Sequence, residues 1–107
     1  MKGSALDMLA ICRKAGKMKL GFDSVEQSLA NGAKVILFSC DISPKTMNRM
    51  VNTAKLHKVN TVMLPWNSDE INYRLGKRVA VMSITDQGLA DRVALLLRAD
   101  NEEETCL

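Results

Sequence analysis

The residues best placed to do chemistry lie between Lys17 and Gln27, and the chemistry they suit is hydrogen bonding rather than group transfer. At about 100° per residue, Phe22, Val25 and Leu29 fall on one helical stripe, which must face a core. Asp23, Ser24 and Gln27 fall opposite and must face outward, and Lys17, Lys19 and Gly21 stand just before them. A glycine lets another backbone approach closely. A helix N-terminus offers free amides and partial positive charge to a phosphate. Outward amide and hydroxyl groups can then hydrogen-bond base edges. A second reading stays open, because Ser24-Val25-Glu26-Gln27 also has the form of a capping box, in which those side chains would only cap a helix.

A second patch is "RLGKRVAV", which sets Arg74, Lys77 and Arg78 around Gly76, directly before an apolar strand. Basic groups hold a phosphate backbone, and an exposed Leu75 or Val79 could stack under an unpaired base. A short turn with ordinary surface cations is the competing reading. RNA recognition commonly targets unstacked bases and distorted loops, which suits backbone-holding cations beside an apolar loop. Aromatic stacking is not indicated, since Trp66, Tyr73 and the two phenylalanines form no exposed pair of the kind RNA-binding sheets use.

Catalysis finds little support. Cys40 sits where a strand gives way to a helix, a place that can lower a thiol pKa. Its candidate base is His57, the only histidine, which a helix over 44–58 would hold about 20 Å away at ~1.5 Å per residue. Cys12, Cys40 and Cys106 have no spacing that would hold zinc, and no glycine-rich phosphate loop precedes Lys17 or Lys77. Cys12 and Cys40 read as small buried hydrophobes. The expectation is a protein that is not an enzyme, with no cofactor and no metal.

The elements that must position these groups follow from periodicity. Ser4 and Asp7 have capping-box spacing, so residues 5–15 should be helical and stop at Gly16. Further helices are expected over 22–30, over 44–58 after Ser43-Pro44, from Asn67 to Gly76, and after Thr85-Asp86. Strands are expected over 18–20, 34–40, 60–64 and 78–84. Strands alternating with helices imply one α/β domain, a three-layer α/β/α sandwich, and short connections favour mostly parallel pairing. A chain of 107 residues, 47% hydrophobic, can bury one core unaided. No apolar run approaches the ~20 residues that span a bilayer, and Asp7 and its neighbouring cations mark the first helix as amphipathic rather than a signal peptide. A cytoplasmic protein with no membrane association is expected. Residues 1–99 carry 15 basic and 8 acidic side chains and should form the domain; 100–107 should be an acidic, disordered tail. A basic body invites polyanions.

"MLAICRKAGKMKLGFDSVEQSLANGAKVILFSCDIS" and "GKRVAVMSITDQGLADRV" together resemble the small bacterial YlxQ-type proteins of the kink-turn-binding, L-seven-Ae-like ribosomal-protein superfamily. The resemblance implies a mixed four-stranded sheet and non-catalytic binding of RNA kink-turns. It implies that Gly21 leads an RNA-reading helix, that Asp23 and Ser24 occupy its Asn and Glu positions, and that Gln27 occupies its Lys position. It also maps a loop covering a flipped-out nucleotide onto residues 75–79. The three substitutions change the chemistry: ionised Asp23 accepts but cannot donate, Ser24 is short, and Gln27 lacks a charge. Residues and resemblance lead to one expectation, a ribosome-associated protein that binds structured RNA and is a monomer when free. Its site would be Lys17, Lys19, Gly21, Asp23, Ser24, Gln27, Arg74, Leu75, Lys77, Arg78 and Val79, with Arg13 and Lys14 in support. The alternative is a protein-interaction module on the same fold that has lost kink-turn recognition.

Overall fold

Side-chain alternation along the strands decides the layering. The computed structural model describes residues 4–105, with side chains over 5–99. Four strands, β1 (Met18–Leu20), β2 (Val35–Phe38), β3 (Asn60–Met63) and β4 (Val81–Ile84), form one sheet in the order β1-β4-β2-β3. Five helices accompany it: α1 (Ser4–Lys14), α2 (Phe22–Leu29), α3 (Pro44–Leu56), α4 (Ser68–Leu75) and α5 (Gln87–Thr105). Ile36, Phe38 and Val81 point to one face and meet Val25, Leu29, Met50 and Ala54 of α2 and α3. Leu37, Met82 and Ile84 point to the other and meet Leu9, Ile71 and Val93 of α1, α4 and α5. The result is the expected three-layer sandwich around a mixed four-stranded sheet.

Strand direction corrects the expectation of mostly parallel pairing. Only β2 and β3 pair in parallel, whereas β4 runs antiparallel to both β1 and β2. The crossovers through α2 and α3 do leave β1, β2 and β3 pointing the same way. However, the segment from Leu64 to Ala80 begins and ends at one end of the sheet, so β4 must run backwards, and it enters between β1 and β2. That strand is also shorter than expected, starting at Val81 rather than at residue 78.

Two further expectations change. Cys12 is buried, and burial pushes its thiol pKa up, but Cys40 is exposed because β2 ends at Phe38 and the chain turns outward. The capping reading of Ser4 concerns a side chain outside the described ones, as does Cys106. The backbone of α5 continues to Thr105, into the segment expected as a tail, whose side chains also lie outside those described. Among the described residues no helix is long and apolar enough to cross a membrane.

A buried hydroxyl pair fixes α2 to the sheet. Ser28 Oγ lies 2.8 Å from Ser83 Oγ and donates to the Val25 carbonyl at 2.6 Å. Ser83→Ala is expected to cost about 1 kcal/mol, the net worth of an ordinary intramolecular hydrogen bond. The check is the urea midpoint at constant slope; a wild-type midpoint would remove the pair from what holds α2 in place.

Candidate nucleic-acid interface

Three helices, α2, α3 and α4, begin at the sheet end where β1, β2 and β3 finish and β4 starts. Two of them close their own first turns. Ser43 accepts the Thr46 amide at 3.3 Å, and Asn67 and Glu70 exchange a reciprocal pair at 2.8 and 3.1 Å. Gly21 caps α2 with no side chain at all. The helix starts at Phe22, so Ser24 lies inside its first turn and the capping-box reading of Ser24 and Gln27 is overturned. Gly21 holds φ 91° and ψ 154°, a region closed to residues with a Cβ. Its amide donates to the Val81 carbonyl at 3.0 Å, which ties the start of α2 to the first residue of β4.

One flank of α2 opens into a cleft of about 270 Å³ lined by Lys19, Ser24, Gln27, Ser28, Asn31 and Thr85. The structure thus brings Lys19, Ser24 and Gln27 together, with Asp23 exposed on the same helix. Lys17 stands apart, at the far end of β1 from Gly21, where its carbonyl accepts the Thr85 amide at 2.9 Å. Asn31 and Thr85 escaped sequence reasoning. Helical spacing from Ser24 and Gln27 could have found Asn31, whereas Thr85 carries no local signal. Arg49 was also missed: its guanidinium lies 4.7 Å from the Phe22 ring centroid, beside the start of α2.

The segment from Arg74 to Ala80 departs most from expectation. Leu75 and Val79 are 5% and 6% exposed, so the reading of either as an exposed cover for a base is corrected. Leu75 sits one turn after buried Ile71 on the inward stripe of α4, and Val79 fills the core ahead of β4. Gly76 ends α4 in the left-handed region at φ 81°, its amide donating to the Asn72 carbonyl at 2.8 Å. Arg74 pairs with Asp7 through a 2.6 Å contact and Arg78 pairs with Asp69, while Lys77 is exposed. Arg13 and Lys14 gather with Arg74 and Leu75 around a cleft of about 310 Å³ on the α1 side.

Arg78 also borders a third cleft, of about 360 Å³, with Asp41, Ser43, Thr46 and Ser68. Ser68 donates to Asp41 from its hydroxyl at 2.7 Å and its amide at 2.9 Å, and these bonds hold the carboxyl down at about 2. The carboxylate ties the loop after β2 to the start of α4. Cys40 and His57 bracket the thirteen residues of α3, about 20 Å of helix, and form no dyad. Among the described residues no group of three His, Cys, Asp or Glu side chains converges on a possible metal position.

No protein-family model matches the chain. It is similar to the large ribosomal subunit protein eL30 of Dictyostelium discoideum, with 33% identity over 91 residues that span 82% of this chain and 81% of that protein. Among solved structures it is similar to a Bacillus halodurans protein of unknown function, with a TM-score of 0.82 and 17% identity over 90% of this chain and 98% of that one. It is also similar to the 15.5 kDa RNA-binding protein of Giardia lamblia, with a TM-score of 0.71 and 15% identity over 91% of this chain and 84% of that one. At such identities the two structures speak to the fold alone.

Proposed function

The chain belongs to the ribosomal-protein family of eL30, and from that premise we propose that it is a non-catalytic, ribosome-associated RNA-binding protein of the cytoplasm. Residues 1–99 make up the binding domain, and 100–107 are an acidic appendage. The observation that carries the reading is the side-chain-free start of α2 at Gly21, joined by one hydrogen bond to Val81, the first residue of β4, which the cationic segment leads into. An RNA backbone can approach that glycine, with Lys19 in the strand before it and the exposed Lys77 and Arg78 in the segment that leads to Val81.

The finer reading is a kink-turn or a similarly distorted RNA. Ser24 and Gln27 both donate and accept, so between them they can meet mixed base edges, while Asp23 serves only groups that donate. Arg78 must exchange Asp69 for phosphate, a small cost because exposed ion pairs are worth about 0–1 kcal/mol. Leu75 and Val79 contribute from inside, by setting the shape of the segment. The YlxQ-type branch is the finer family reading, supported by "RKAGK", Gly21, "KVILFSCDIS" and "VAVMSITDQGLA".

The test is a binding titration at several salt concentrations against a kink-turn RNA, the same RNA with its G·A pairs disrupted, and a plain duplex. Lys77→Ala/Arg78→Ala is expected to lower kink-turn affinity about tenfold and to reduce the salt slope by about 1–2, up to one released counterion per phosphate contact. Equal affinity for the intact and disrupted RNAs would remove the kink-turn reading. Absence of salt-sensitive RNA binding would remove the RNA reading itself.

A further inference from the structure

From Ile42 to Ser68 the chain contains no Asp or Glu, yet it holds Lys45, Arg49, Lys55 and Lys58. The helix α3 occupies the centre of that stretch. Its inward stripe is Met47, Met50, Val51 and Ala54, buried or partly buried against the sheet. The opposite face carries Lys45, Asn48, Arg49, Asn52 and Lys55, all exposed. Cations and amides without an intervening carboxylate match a phosphate backbone and repel no part of it. Lys45 to Lys55 spans about 15 Å of helix at ~1.5 Å per residue, and Lys58 follows just past its end. Arg49 joins this strip to the start of α2 through the Phe22 ring.

The end of the strip supplies an independent observation. Lys58 has φ 57°, the only described non-glycine residue in the left-handed region, just after His57, the residue that caps the end of α3. That position is one where glycine or asparagine is the unstrained choice, and a lysine there keeps a cation at a conformational cost. Such an outlier points from strain to use.

We propose that α3 is a second RNA-contacting element, gripping the phosphates of a helical stem that flanks the structured motif held by α2. The inference rests on the RNA-binding reading above. It adds a surface that reads no bases and extends the footprint along the stem. An acidic protein face would meet the same charges, but RNA follows from the continuity of the strip with the start of α2.

The probes are a kink-turn hairpin with long stems and the same hairpin with its stems trimmed back to the turn. The wild type should bind the long form more tightly and with a steeper salt dependence. Lys45→Gln/Lys55→Gln should abolish that advantage, lowering the salt slope on the long form by about 1–2, and leave the trimmed form unchanged. Lys58→Gly should raise the urea midpoint while weakening binding to the long form, opposite signs that a purely structural role cannot produce. Variants that match the wild type on the long hairpin, or a wild type indifferent to stem length, would overturn the α3 proposal alone. A wild type that binds neither hairpin would overturn the RNA reading and this proposal with it.

Discussion

Gly21→Glu is expected to reduce binding to structured RNA at least 100-fold, about 2.8 kcal/mol at 1.4 kcal/mol per tenfold. Two effects add, and a second substitution separates them. A Cβ at position 21 would meet nothing within 4 Å, so the strain is torsional rather than steric. Forcing φ 91° and ψ 154° on a side-chain-bearing residue costs about 1–3 kcal/mol. Gly21→Ala should therefore lose about as much folding stability as Gly21→Glu. Only the glutamate places a negative charge against the amides of α2 and the approaching phosphates. Binding measured on both proteins below their unfolding transitions isolates the charge. If Gly21→Ala loses as much affinity as Gly21→Glu, backbone shape alone accounts for the site. If neither loses affinity, the start of α2 is not where RNA binds.

Leu75→Ala is expected to lower stability by about 2–5 kcal/mol, the range for truncating a buried leucine. The side chain is 5% exposed and packs with Ile71, Leu64 and Val79 in the larger core cluster. RNA affinity of the protein that remains folded should change by no more than a few fold. A role as a cover over a flipped-out base predicts the reverse, with stability near wild type and affinity reduced. Chemical denaturation and an RNA titration on the same preparation decide between them. A wild-type denaturation midpoint would mean that α4 is turned the other way and Leu75 faces solvent.

How far the structure could be read in advance follows the range of the interactions concerned. The phase of α2 is written in residues three and four apart, so Val25 and Leu29 were legible as core, and Asp23, Ser24 and Gln27 as surface. Ser43-Pro44 and Asn67 announce their helices through contacts spanning three residues. Leu75 was legible in principle from its spacing to Ile71, but three cations and a glycine around it gave that stretch the composition of an exposed loop. Val79 lay inside the apolar run expected as a strand over 78–84, but it precedes β4, and its burial depends on where that strand enters the sheet. The order β1-β4-β2-β3 depends on which edges are free when β4 arrives, and no short stretch encodes that. Asp7 with Arg74, Arg49 with Phe22, and Lys19 with Thr85 are tertiary meetings of the same kind. The fold class was therefore within reach, the outline of the site partly so, and its partition among three clefts not at all.

The position of β4 also bears on timing. Gly21 and Val81, bonded in the finished sheet, are about 60 residues apart in the chain, and their contact is among the last that synthesis can supply. A chain growing from its N-terminus has β1, α2, β2, α3 and β3 available while the slot between β1 and β2 stands unfilled. Long-range pairing of this kind slows folding, because the loop must be closed before the contact rewards it. Until β4 docks, Ser28 lacks Ser83 and Gly21 lacks Val81, the two hydrogen bonds that fasten α2 to β4. RNA recognition is thereby made conditional on completion: an unfinished chain is expected to be a poor competitor for the RNA that finished molecules occupy.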